Sequence, residues 1–66
     1  MATLGHNFKK ARIDRNISIR EVADYLETSM KVIYNIEGSI SEPNIQQLIL
    51  LSKLYKISID ELVKGK

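Results

Sequence analysis

The stretch that decides the fold is Ser18-Ile-Arg-Glu-Val-Ala-Asp-Tyr-Leu-Glu-Thr-Ser-Met-Lys-Val-Ile-Tyr-Asn-Ile-Glu37. Ile19, Val22, Ala23 and Leu26 fall at i, i+3, i+4 and i+7, the spacing that lines one face of a helix with apolar side chains. Ser18 and Glu21 have the capping-box spacing, in which a hydroxyl at the N-cap and a carboxylate at N3 each satisfy a backbone N–H. Ser29 is an N-cap for a second helix, continued by Met30, Ile33 and Ile36 at intervals of three. Only Glu27-Thr28 lies between, so two short helices must cross over a turn of about two residues. Ala23 stands where the helices approach most closely, and a small side chain is needed there. With Ile33 and Ile36 holding the second helix to the core, Met30, Lys31, Tyr34 and Asn35 face outward.

The same signals recur on both sides. Ser58-Ile-Asp-Glu61 repeats the capping-box spacing, and Asn44-Ile-Gln-Gln47, directly after Pro43, is its amide version. Thr3 is an N-cap without a reciprocal partner. Leu4, Phe8 and Ala11 supply an apolar face near the start. The pattern predicts helices over 3–15, 18–26, 29–37, 44–55 and 58–64 in one all-α domain spanning 1–66, with its longest linker at 38–43. The fourth helix is apolar most of the way round. Ile45, Leu48, Leu51 and Tyr55 are expected to face the core, which leaves Ile49, Leu50 and Leu54 on other faces. Together with Ile59 they form a candidate dimer interface, the bland alternative being scattered exposed side chains.

A 66-residue chain buries only roughly 60% of the surface that its unfolded form exposes. Chains this short usually lean on disulfides, a metal or a partner subunit. Cysteine is absent and His6 is the one histidine, so neither disulfides nor a metal site is expected, and oligomerisation remains. The net charge of +2 is unevenly spread: +4 over residues 1–20, −4 over 21–52 and +2 over 53–66. The basic N-terminal segment suits phosphate binding or an ordinary solvated face. No apolar run is long enough for a membrane span and no signal-like segment is present. A soluble, cytoplasmic protein without membrane contact is therefore expected. No cysteine nucleophile, glycine-rich phosphate loop or useful Ser/His pairing occurs, and Asp60 with Glu61 serves a helix dipole. Neither an enzyme, a small-molecule substrate nor a cofactor is expected.

Beyond these readings, the chain resembles the Cro/phage-repressor-type (XRE) helix-turn-helix DNA-binding family. Ile17 through Leu26 looks like its second helix and Ser29 through Glu37 like its recognition helix. Pro43 with Ile45, Leu48 and Leu51, then Ile57 through Val63, is similar to its closing pair. The likeness runs in register from about Leu4 to Val63 and implies a compact five-helix, lambda-repressor-like domain. It implies a buried ion pair between Arg12 and Glu37. It also implies that Met30, Lys31, Tyr34 and Asn35 read base edges in the major groove of double-stranded DNA. Asn35 suits adenine, Lys31 guanine and Met30 a thymine methyl. Ser18, Arg20, Thr28, Ser29, Ser39 and Asn44 are the candidate phosphate contacts.

The chain departs from the family pattern in four places. Ile19 replaces a common glutamine, and Glu27 stands where the turn usually carries glycine. Gly38-Ser39 inverts the usual order after the glutamate, and the recognition helix holds a single cation, Lys31. The expected function is a transcription regulator, most simply a homodimeric repressor on a symmetric operator. The alternative is a protein-binding modulator on the same fold: an antirepressor, a co-repressor or an antitoxin that binds another regulator or a toxin.

Overall fold

The computed structural model describes residues 4–64. Five helices follow one another: α1 (Leu4–Asp14), α2 (Ile19–Leu26), α3 (Met30–Glu37), α4 (Ile45–Tyr55) and α5 (Ile59–Lys64). All five expected helices form. Their starts fall later than predicted because the serine or asparagine opening α2, α3 and α4 is an extended cap residue, not the first helical one. The expected cap at Thr3 lies outside the described residues. None of the helices is long and apolar enough to cross a membrane, among the described residues.

Each cap does what its residue type allows. Ser18 accepts from the Glu21 N–H at 3.1 Å while its own N–H donates to the Glu21 carboxylate at 2.9 Å. Asn44 and Gln47 repeat the exchange at 2.8 and 3.0 Å. Ser58 departs from the expected box: it accepts from the Glu61 N–H at 3.1 Å, but its hydroxyl, not its N–H, meets the Glu61 carboxylate.

The four helix ends share one construction. Asn16, Glu27, Ser39 and Lys56 all have φ between 55° and 60°. The residue after each donates its N–H back to a carbonyl five positions earlier: Ile17 to Arg12, Thr28 to Ala23, Ile40 to Asn35 and Ile57 to Ser52. This left-handed stop satisfies carbonyls that the helix leaves orphaned. None of the four is glycine, the residue that adopts this conformation without a Cβ penalty.

One core lies at the centre, made of Phe8, Ala11, Val22, Ala23, Leu26, Ile33, Ile36, Leu51, Tyr55 and Leu62. The expected faces of α1, α2 and α3 supply most of it, with Leu4 and Ile19 half-buried at its margin. Helix α1 packs on α3 and α5, α2 on α3 and α4, and α4 on α5. Ala23 is buried, as close α2–α3 packing requires.

Helix α4 corrects two expectations. Ile45, expected in the core, is 77% exposed at the first position of α4. Leu50 and Leu54 were expected to face away and are half-buried against the core. A helix gripped by α2 on one flank and α5 on another buries a wider arc than a single stripe, so their side chains are largely used within the fold. Ile49 and Ile59 do stay exposed.

Candidate nucleic-acid interface

Helix α3 is held from behind and open in front. Ile33 and Ile36 are buried, whereas Met30, Lys31 and Tyr34 are exposed and Asn35 is half-buried. Tyr34 is 58% exposed, which a tyrosine on a working core face would not be. Asn35 lies nearest its edge, where its backbone carbonyl accepts from the N–H groups of Ile40 and Ser41 at 2.9 and 3.2 Å.

The rear anchor is ionic. Arg12 Nε donates to Glu37 Oε2 at 2.7 Å and its second terminal nitrogen to Oε1 at 3.1 Å, a bidentate pair with side chains only 13% and 7% exposed. The remaining terminal nitrogen donates to the Ile17 carbonyl at 3.0 Å. One guanidinium thus joins α1, the α1–α2 joint and the end of α3. Its hydrogen bond to Glu37 raises the guanidinium's pKa, with burial opposing. The pair expected from family likeness is present as geometry.

Around α3, Ser18, Arg20, Ser29, Ser39 and Asn44 are exposed and Thr28 is half-buried. Most of their polar groups already have work inside the fold. Ser29 Oγ accepts from the Val32 N–H at 3.4 Å. Ser39 Oγ accepts from the Gly5 N–H at 3.0 Å. What these caps can offer an outside anion is their remaining donors, such as the Asn44 amide and the serine hydroxyl protons. Glu21 and Glu27 put two exposed carboxylates beside this surface, and Glu27 sits in the left-handed turn that usually carries glycine in the family.

Sequence reading missed Gly5. It is buried in α1, and a Cβ placed there would stand 2.5 Å from the Glu37 carbonyl oxygen and 2.7 Å from that of Ile36. Only glycine lets α1 lie this close to the end of α3. The available signal was a glycine inside a helix, which costs about 1 kcal/mol in propensity and so needs a packing reason. Ile40, in the linker after α3 and outside any helical stripe, is 76% exposed.

The helix-turn-helix family model matches residues 8–62. The chain belongs to the XRE-type helix-turn-helix family of DNA-binding regulators. Among solved structures this helix-turn-helix protein is similar to the P22 c2 repressor protein, crystallised in complex with synthetic operator 9T in the presence of Tl+. The two are 29% identical, the match covers 100% of both chains, and the TM-score is 0.91. No curated protein sequence matches the chain.

Proposed function

We propose that this helix-turn-helix protein is a cytoplasmic repressor that binds a symmetric operator as a homodimer, with α3 in the major groove, and has no enzymatic activity. The observation that carries the reading is the outward face of α3: Met30, Lys31 and Tyr34 stand clear of the core, with half-buried Asn35 at their edge, on a helix anchored from behind. The fold's likeness to a repressor crystallised with its operator supports the same reading. Lys31 pairs with guanine O6 and N7, Asn35 with adenine N6 and N7, and Met30 lies against a thymine methyl. Tyr34 contacts sugar or phosphate. Ser18, Arg20, Thr28, Ser29, Ser39 and Asn44 surround them as phosphate contacts.

One recognition helix with one cation makes a weak monomer, and two half-sites roughly 34 Å apart supply the missing affinity. Ile49 and Ile59 are the exposed apolar residues proposed at the subunit contact, together with half-buried Leu50 and Leu54. Repression by occupying a promoter needs nothing beyond this domain.

A second reading, a protein-binding modulator, is favoured by exposed Ile40 and Ile45 and by the carboxylates of Glu21 and Glu27 near α3. Selection from a random duplex library at about 50 mM salt separates the two. Enrichment of a two-fold symmetric motif, lost in Asn35→Ala and in Lys31→Glu, is the expected result. Weak, salt-sensitive retention without enrichment would replace the operator by a protein partner.

A further inference from the structure

The geometry points to Ser39 and Gly5 as positioning residues: they clamp the end of α3 to the start of α1 and so set the angle at which the recognition face meets DNA. The inference rests on the proposed reading of α3 as the base-reading helix. Helix α3 hangs on α1 at two separate points. At one, Arg12 takes both oxygens of the Glu37 carboxylate. At the other, the Gly5 N–H donates to Ser39 Oγ at 3.0 Å, and Gly5 approaches the last carbonyls of α3 so closely that a Cβ would meet them at 2.5–2.7 Å. Residues 5 and 12 are about 10 Å apart along α1 at the ordinary rise of a helix.

Two anchors hold an angle, and one anchor permits a pivot. Helix α3 is 8 residues, or about 12 Å long. Tilting it by about 10° around Glu37 would move Met30 and Lys31 by about 2 Å, beyond the tolerance of a contact that must match a base edge. The Ser39 hydroxyl resists that tilt together with the Arg12–Glu37 pair and the core packing of Ile33 and Ile36. It also acts as a cap supplied from across the chain, satisfying an N–H in the first turn of α1, where helical donors have no partner of their own. Ser39 can serve there because its backbone is left-handed at φ 60°, which turns the chain back over α1 straight after the helix ends.

This gives Ser39 a role beyond the phosphate contact that its hydroxyl proton can still make, and the two predict different losses. Loss of a phosphate contact weakens binding to every sequence by about the same factor, whereas a displaced reading helix changes the ratios between sequences. The test compares the parent with Ser39→Gly, which keeps the left-handed backbone and removes the hydroxyl, and with Ser39→Asn, which tolerates the same backbone and restores an acceptor. Affinities are measured on the selected operator and on single-base variants of it, with melting temperatures alongside. Ser39→Gly should melt within a few degrees of the parent yet discriminate between operator and variants at least threefold less, and Ser39→Asn should recover most of that discrimination. Uniform weakening across all sequences, or no change, would overturn the positioning role. Amide exchange on the free protein provides a reading without DNA: Ser39→Gly should speed exchange in the last turn of α3 several-fold and leave α4 unchanged. A parent with no sequence preference overturns the base-reading proposal, and unchanged exchange overturns the clamp itself.

Discussion

At the scale of single residues, Arg12 is the side chain on which most depends. A chain of this length has a total stability of about 3–10 kcal/mol, and removing one partner of a buried ion pair costs about 3–5 kcal/mol. Arg12→Ala and Glu37→Ala should therefore each leave the domain largely unfolded at 37 °C, seen as loss of the helical circular-dichroism signal. A melt within two degrees of the parent would mean the pair is not buried in solution. Glu27 points the other way. Its left-handed backbone at φ 57° is one that glutamate adopts at a cost of about 1 kcal/mol, and its carboxylate lies beside the proposed phosphate surface. Glu27→Gly should raise the unfolding free energy by up to about 1 kcal/mol and tighten operator binding at low salt. A chemical-denaturation midpoint unchanged or lowered would show that the side chain compensates its own strain. Both residues were legible in sequence, one from its family position and one from its departure from it. Gly5 was not, and Ser39 stood out only as a phosphate contact, because their tie spans 34 positions and neither residue type announces a distant partner.

At the scale of elements, helix starts are more readable than the buried side of α4. A cap is a local device: four residues and two hydrogen bonds suffice, so Ser18 with Glu21 and Asn44 with Gln47 mark α2 and α4 from their spacing alone. The amide box of α4 has a measurable share in that helix. Asn44→Ala should cost about 1 kcal/mol, with faster amide exchange confined to the first turn of α4. Exchange rising equally in every helix would instead indicate global destabilisation. Which side of α4 is buried depended on where α2 and α5 would lie, which no local pattern contains. That is why Ile45 was expected inside and is outside, and why Leu50 and Leu54 were assigned to a partner subunit although the core already engages them. For the subunit contact, Ile49 and Ile59 are left as the exposed members.

At the scale of the whole molecule, the core encloses one hydroxyl that ties stability to alkaline pH. Burial raises the pKa of Tyr55, the charge of Glu37 raises it further, and Arg12 partly opposes them. The unfolded chain releases that proton near pH 10, while the folded one keeps it. The contribution is thus fully present below about pH 10 and is lost as pH rises towards the folded value, at no more than about 1.4 kcal/mol per pH unit. Melting curves from pH 9 to 11.5 should fall more steeply for the parent than for Tyr55→Phe. Parallel curves would mean the hydroxyl reaches solvent. The five-helix architecture itself could be read from the sequence, since period, caps and short linkers all agreed. The arrangement that holds α3 at its angle could be read only in three dimensions.

The four left-handed helix ends have a stereochemical consequence. A residue at φ near +57° has the backbone of a mirror-image amino acid, and an all-L chain has placed one at each of Asn16, Glu27, Ser39 and Lys56. The domain, 66 residues long, is short enough for chemical synthesis, where chirality can be chosen position by position. D-alanine at 16, 27 or 56 would relieve the clash between Cβ and carbonyl that the natural residue tolerates, and the fold should accept it as a stabilising change. At 39 the same replacement would remove the hydroxyl that Gly5 requires. Three of the joints would thus welcome inverted handedness on backbone grounds alone, and the fourth would give up the bond that steadies the reading helix.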